Sequence, residues 1–173
     1  ITCCLRTNLD VNDLNHTSEF ELLMSRNRGR LMAIARTYAQ ADADDLLQEL
    51  CLQIWRALPS FEQRSSIDTW CYRVALNTAI TWQQSAGKRR SRIPASDSDV
   101  NQLSGGVDGH DSCELLRQFL QTLSDSDRAV VLMYLEDMSG AEMATVIGIS
   151  EGALRVRIHR IKQRLACWSI GDL

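Results

Sequence analysis

Ser139-Gly140-Ala141-Glu142-Met143-Ala144-Thr145-Val146-Ile147-Gly148-Ile149-Ser150 runs directly into Glu151-Gly152-Ala153-Leu154-Arg155-Val156-Arg157-Ile158-His159-Arg160-Ile161-Lys162-Gln163-Arg164-Leu165. Ser139 with Glu142 three positions on forms a capping box that starts a short helix. Ala144 is small enough to let a second helix approach, and Gly148 suits a turn that needs a positive φ. Ser150 caps the second helix, whose free N–H groups can face a phosphate. Ile149 and Leu154 can pack inward, while Arg155, Arg157, Arg160, Lys162 and Arg164 spread over the outer surface. Cap, small residue, glycine turn, second cap and basic helix follow the order of a helix-turn-helix DNA reader. A solvated basic face is the plainer alternative, and the ordered spacing argues against it. Arginines early in such a helix can pair with guanine edges, and later ones hold the backbone. Glu151 reads equally as an acid favoured at a helix N-terminus or as a partner for a cytosine amino group.

The basic helix sits in an acidic chain of 173 residues, with 19 Lys and Arg against 22 Asp and Glu and a net charge of -3. A protein that coats nucleic acid non-specifically is usually basic throughout. DNA contact here must come from a local patch, helped by a larger partner. The length allows one average domain or two small ones, and a hydrophobic content of 45% excludes wholesale disorder. No apolar run approaches the roughly 18 residues of a membrane span. Ile1-Thr2-Cys3-Cys4-Leu5-Arg6 lacks the charged and apolar parts of a secretory signal, so none is expected. The cysteines Cys3, Cys4, Cys51, Cys71, Cys113 and Cys167 are scattered, and no CxxC or CxxxH pair sets up a metal site. We expect reduced thiols, with Cys51 and Cys71 as small apolar residues. Cys3-Cys4 is the pair best placed for another role, such as redox or metal sensing.

Upstream, residues 1–17 are polar and aperiodic, and read as a flexible N-terminal arm. Ser18 with Glu21 forms a capping box, followed by Phe20, Leu23, Met24, Leu31, Ile34 and Tyr38 at helical spacing. Ala41-Asp42-Ala43 breaks this helix. A second runs from about Asp44 to Leu58 with Leu47, Leu50, Cys51, Ile54 and Leu58 on one face, and Pro59 stops it. After the loop from Ser60 to Ser66 a third helix carries Ile67, Trp70, Cys71, Val74, Thr78 and Trp82, and ends in the basic cluster Lys88, Arg89, Arg90 and Arg92. Residues 94–111 are rich in Ser, Asp and Gly, with four acids and no Lys or Arg, and read as a flexible acidic linker. The last unit begins near Ser112. Its first helix carries Leu115, Leu116, Phe119, Leu120 and Leu123. Ser124 with Asp127 caps the next, and the helix-turn-helix completes the unit. No segment alternates with the period of a half-buried strand. The chain reads as all-α: two small helical domains, 18–93 and 112–173, joined by the linker.

Two separated segments resemble the extracytoplasmic-function (group 4) sigma factors, the bacterial RNA polymerase subunits that recognise promoters. The first comprises Asp44-Asp45-Leu46-Leu47-Gln48-Glu49-Leu50, Trp55-Arg56-Ala57-Leu58-Pro59-Ser60-Phe61 and Ser65-Ser66-Ile67-Asp68-Thr69-Trp70-Cys71-Tyr72-Arg73-Val74-Ala75-Leu76-Asn77. The second is Gly148-Ile149-Ser150-Glu151-Gly152-Ala153-Leu154-Arg155-Val156-Arg157-Ile158-His159-Arg160. The resemblance implies a sigma region 2-like domain over 18–93 and a sigma region 4-like domain over 112–173.

By that resemblance Asp44, Asp45, Leu47, Gln48 and Glu49 dock on the coiled coil of the largest polymerase subunit. Helix capping alone would account for Asp44 and Asp45, but not for Gln48 and Glu49. Phe61, Ser65, Ser66, Arg73, Asn77, Lys88, Arg89 and Arg90 would read and help melt the -10 element, which needs a pocket for an unstacked base and a track for phosphates. Arg73 and Asn77 share one helix face. Ser150, Glu151, Arg155, Arg157, Arg160 and Arg164 would read the -35 element. Trp55 and Trp70 suit the core better than base stacking.

The linker would run through the polymerase cleft toward the RNA exit path, a simple tether being the competing reading. The implied partners are core RNA polymerase, including its flap region, promoter DNA and an anti-sigma protein. The implied place is the bacterial cytoplasm, with the anti-sigma protein able to hold the chain at the inner membrane. No cofactor, metal, small-molecule substrate or enzymatic activity is expected; His16, His110 and His159 lie far apart in sequence. Asp68, Thr81, Ala153 and Val156 depart from the residues usual in the family and bear on the promoter sequence read. A free-standing helix-turn-helix regulator and a protein-binding adaptor are the other readings of the chain.

Overall fold

The computed structural model describes residues 11–90 and 110–171, with side chains over 16–85 and 114–168. Helices α1 (Val11–Ala39), α2 (Ala43–Ala57) and α3 (Ile67–Arg90) form one bundle. Helices α4 (His110–Thr122), α5 (Asp125–Leu135), α6 (Gly140–Ile147) and α7 (Glu151–Gly171) form a second. Among the described residues there is no strand, and no helix is long and apolar enough to cross a membrane.

The expected helix start at Ser18 is corrected. Helix α1 is already continuous from Val11, and Ser18 stands exposed within it, so the flexible arm expected over 1–17 does not reach 11–17. No glycine or proline interrupts that stretch, and aromatic packing supports it. The His16 and Phe20 rings lie 4.1 and 5.0 Å from the Trp55 ring, both edge-on. The other end of α1 breaks where expected, through a 3-10 turn at Gln40–Asp42 with Gln40 at φ 50°.

In α2 the fully buried residue is Leu46 rather than Leu47. Leu46, Leu50 and Ile54 have no exposed surface, whereas Leu47 and Cys51 lie half-buried on the flank. The two leucines are adjacent, so the repeat alone does not choose between them. The helix ends in a 3-10 turn at Leu58–Ser60, with Pro59 as expected. Trp70 is buried with its ring 5.3 Å from that of Phe61, and Trp55 packs on α1. Burial of side chains such as these contributes about 1.5–3 kcal/mol each.

One polar brace crosses this bundle. Asn27, itself buried, donates to the Leu23 carbonyl (3.0 Å) and to Asp68 (2.6 Å), and Arg26 donates to both Asp68 oxygens at 3.0 Å. Asp68 therefore joins α1 to α3. Cys51, Cys71 and Cys167 are free, and burial pushes the Cys71 thiol up to about 12. Cys3 and Cys4 lie outside the described residues.

Most of the expected linker also lies outside them, but its last two positions, His110 and Asp111, belong to the first turn of α4. An acid is favoured there by the helix dipole. Ser124 caps α5 by accepting from the Asp127 N–H (3.2 Å). Arg128 is buried and caps the end of α4, donating to the Leu120 (3.0 Å) and Leu123 (3.3 Å) carbonyls.

The two bundles touch. The Tyr38 hydroxyl donates to the Asp125 carbonyl (2.9 Å), and Arg128 donates to the Gln83 side-chain carbonyl (3.0 Å). The Arg128 guanidinium also lies 5.2 Å from the Tyr38 ring centre. Arg30 pairs with Glu136 at 3.5 Å, and α6 packs on α3.

Candidate nucleic-acid interface

Helix α2 turns one stripe into the bundle and leaves the other open. Asp44, Asp45 and Gln48 are exposed on the open side. Leu47 and Glu49 are half-buried at its edges, and Glu49 accepts from Gln53 at 2.7 Å. Asp42, the residue before the helix, makes no side-chain cap, and Asp44 and Asp45 stand in the first turn, where acids suit the helix dipole. Leu52, 41% exposed, continues the open stripe one turn beyond Gln48. The sequence reading missed it, although its position off the Leu46-Leu50-Ile54 stripe was the available signal.

Across the loop, Phe61, Ser65 and Arg73 line a cleft of about 150 Å³ together with Trp70 and Thr145. Ser66 is not among its lining residues. Its hydroxyl accepts from the Thr69 N–H (3.1 Å) and shares a hydrogen bond with the Thr69 hydroxyl (2.7 Å), capping α3. Asn77 is exposed beside a separate open groove between α2 and α3, about 500 Å³, whose lining includes Gln53, Thr81 and Trp82. Arg73 and Asn77 thus face solvent on one helix but border two different cavities. Trp82 offers that groove an aromatic surface of the kind that stacks unpaired bases. Lys88, Arg89 and Arg90 lie in the last turn of α3, beyond the described side chains.

The helix-turn-helix follows its local rules closely. The Ser139 hydroxyl accepts from the Glu142 N–H (3.3 Å), and the Ser139 N–H donates back to the Glu142 carboxylate (3.0 Å). The Ser139 hydroxyl and N–H hold the Glu142 carboxyl below its ordinary value, with smaller contributions from Arg30 and Thr69 of the other bundle. Gly148 takes φ 77° and closes α6 through its N–H to the Ala144 carbonyl (2.8 Å). Ser150 caps α7 by accepting from the Ala153 N–H at 3.2 Å.

The basic residues of α7 divide into two sets. Arg157 is half-buried, pairing with Asp127 (3.0 Å) and donating to Ser126 (3.0 Å). Arg164 donates to the Thr122 carbonyl (3.2 Å) and lies 4.0 Å from Asp127. Both brace α7 against its own bundle. Lys162 is likewise engaged, donating to the Tyr134 hydroxyl at 2.9 Å. The open face, opposite the buried Leu154 and Ile161, carries Arg155, Val156, His159 and Arg160. Arg155 has an 81% exposed side chain and a loose pairing with Glu151 at 3.9 Å. Val156, 52% exposed, lies near the centre of this face, where a methyl group can meet the 5-methyl of thymine. Of the residues expected at this surface, Arg155 and Arg160 stand on the open face beside Val156 and His159, whereas Arg157 and Arg164 also contact their own bundle.

A further feature had no place in the sequence reading. Between α4, α5 and α7 runs an apolar groove of about 160 Å³, walled by residues such as Leu116, Val131, Leu135, Ile158 and Leu165.

Comparison with known proteins places these surfaces in a family. Residues 23–89 match sigma-70 region 2, and residues 113–165 match sigma-70 region 4. The ECF RNA polymerase sigma-E factor of Escherichia coli K12 is 31% identical over 163 residues, covering 84% of each chain. That of Haemophilus influenzae is 30% identical over 160 residues, covering 84% of this chain and 85% of its own. The fold is shared with the sigma factor RpoE of Bartonella quintana, solved with the anti-sigma factor NepR (TM-score 0.64, 21% identity, 92% of this chain and 99% of that one). It is shared equally with CnrH, solved with the cytosolic domain of CnrY (TM-score 0.64, 23% identity, 91% of each chain). With a region 2 bundle, a region 4 helix-turn-helix and relatives of this identity along most of its length, the chain belongs to the ECF sigma factors of RNA polymerase.

Proposed function

We propose that the open stripe of α2 docks on core RNA polymerase, that the loop and α3 read and open the -10 element, and that α7 reads the -35 element. Polymerase performs the chemistry, and this chain supplies promoter choice in the bacterial cytoplasm. The observation that carries the reading is the open stripe of α2, where Asp44, Asp45 and Gln48 stand beside exposed Leu52. Capping does not require that combination, and it suits a basic, partly apolar protein surface better than DNA. Arg155 and Arg160 on the open face of α7 supply the DNA-facing charge that α2 lacks.

The apolar groove of the second bundle fits the apolar face of a helix, from the polymerase flap or from an anti-sigma protein. Its nearly all-apolar walls support a role in protein rather than DNA contact.

Size exclusion of the chain with core RNA polymerase, followed by transcription from a mixed promoter library, tests the proposal. We expect co-elution and initiation from a restricted promoter set. Asp45→Arg should weaken core binding by about ten-fold or more without unfolding the chain, because Asp45 is exposed. Absence of co-elution would favour a free-standing helix-turn-helix regulator.

A further inference from the structure

The two ends of α2 are tied to α1 by different means. The first turn of α2 follows α1 almost directly, through the 3-10 turn at Gln40–Asp42. The last turn has no such tether and is held to α1 by aromatic rings. The His16 ring lies 4.1 Å from that of Trp55 at an interplanar angle of 74°, and the Phe20 ring lies 5.0 Å away at 85°. Residues four apart share a helix face, so His16 and Phe20 meet Trp55 from one side of α1. Helix α1 runs unbroken through this point from Val11.

Trp55 also borders the docking stripe. A helix turns about 100° per residue and rises about 1.5 Å. Trp55, the seventh residue after Gln48, therefore stands only about 20° round from it and roughly 10 Å further along. Leu52, 41% exposed, lies one turn from each of them. Trp55 itself is half-buried, so α1 covers part of the indole and part reaches solvent.

His16 shows what kind of contact this is. Its Nε2 is buried and has no hydrogen-bond partner among the described residues. A buried polar atom left without a partner costs free energy rather than contributing it. The imidazole is therefore held here for its ring and not for a polar link. Near-perpendicular rings at these separations attract one another beyond the effect of burial alone.

We propose that His16 and Phe20 are positioning residues for polymerase docking. They wedge Trp55 in place, and through it they set where the far half of the stripe, Leu52 and Trp55, stands relative to Asp45 and Gln48. A tryptophan beside a leucine supplies the apolar anchor of a docking face whose other half is acidic and polar. An anchor fixed before contact also spares the complex the entropy of ordering it. The inference rests on the assignment of α2 to polymerase docking. It gives the turn of α1 that precedes Ser18 a task beyond its own bundle.

The test measures the affinity of the full chain for core RNA polymerase, well below the melting temperature, which is recorded for each variant. His16→Ala should weaken binding about three- to ten-fold, the scale of an aromatic contact. His16→Phe keeps a ring and drops the nitrogens, and should bind within about two-fold of the unaltered chain. His16→Gln keeps polarity and drops the ring, and should resemble His16→Ala. Ile34→Val trims the buried core about five turns along α1 from His16, and should lower the melting temperature while leaving the affinity unchanged. Binding of -35 duplex DNA should be the same in all four variants. Unchanged affinity in His16→Ala would overturn the proposal, as would rescue by glutamine and not by phenylalanine. A loss of affinity that follows melting temperature through the whole series, Ile34→Val included, would reduce the rings to structural packing and overturn it too. Failure of the docking assignment would appear separately, as no effect of Asp45→Arg in the same measurement.

Discussion

The amino-terminal bundle is built from helices of 29, 15 and 24 residues, the carboxy-terminal one from helices of 13, 11, 8 and 21. Long helices present continuous apolar faces, and the first bundle relies on them. Leu31, Ile34, Leu46, Leu50, Ile54 and Cys71 are all shut away from solvent. Helices of two or three turns are marginal alone, and the second bundle supports its short ones with caps at Ser124 and Ser139, while Arg157 pairs with Asp127 and Arg164 donates to the Thr122 carbonyl to hold α7 against them. A DNA reader needs a recognition helix that stays rigid with one face bare. The second bundle achieves this by spending part of the helix's positive charge on its own frame.

The sharpest way to break that contrast is to empty the core. Leu50→Ala should cost about 2–5 kcal/mol, measured by urea unfolding. Leu154→Ala should cost a similar amount, but hydrogen exchange should show the loss confined to α5, α6 and α7. A uniform loss across the chain would mean that the two bundles unfold as one.

Asp127→Ala comes next, at about 1–3 kcal/mol, because it leaves the half-buried Arg157 without its carboxylate. Arg160→Ala should do the reverse, leaving the melting temperature unchanged while weakening -35 DNA binding and lowering its salt dependence. Equal effects of the two changes on DNA binding would erase the division of α7 into a bracing and a reading set.

Gly148→Ala should cost about 1–2 kcal/mol, since φ 77° is left-handed and strains any residue with a Cβ. Ser139→Ala should cost about 1 kcal/mol through loss of the cap. The same capping box gives a pH signature. The Glu142 carboxyl is held below its ordinary value of 4.5, so its stabilisation is complete above that value and is lost as pH falls through the lower folded value. Glu142→Gln should therefore flatten the acid limb of a stability profile below about pH 4.5 and leave the neutral region nearly parallel to that of the unaltered chain.

The caps at Ser124, Ser139 and Ser150, the turn at Gly148 and the stop at Pro59 were all legible in the sequence, because each depends on atoms three or four residues away. The start of α1 was not. Ser18-Glu21 has the pattern of a capping box, but the packing of His16 and Phe20 on Trp55, far along the chain, carries the helix through it. The candidate site divides in the same way. Arg155 and Arg160 were legible as outward-facing on helical period. The contacts of Arg157 with Asp127 and of Arg164 with the Thr122 carbonyl were not, because period places a side chain on a face without naming what lies opposite.

Sequence by itself determined the all-α class, most helix boundaries, the helix-turn-helix and the family, since local hydrogen-bond chemistry and residue order specify them. Only the tertiary structure decided that Leu46 rather than Leu47 is buried, that Ser66 caps α3, and that Asp68 is the acceptor for Arg26 and Asn27. It alone brought Thr145 beside Phe61 and Arg73, and Tyr38 beside Asp125. These pairings join residues tens of positions apart, and only packing in three dimensions selects which of many chemically competent partners meet.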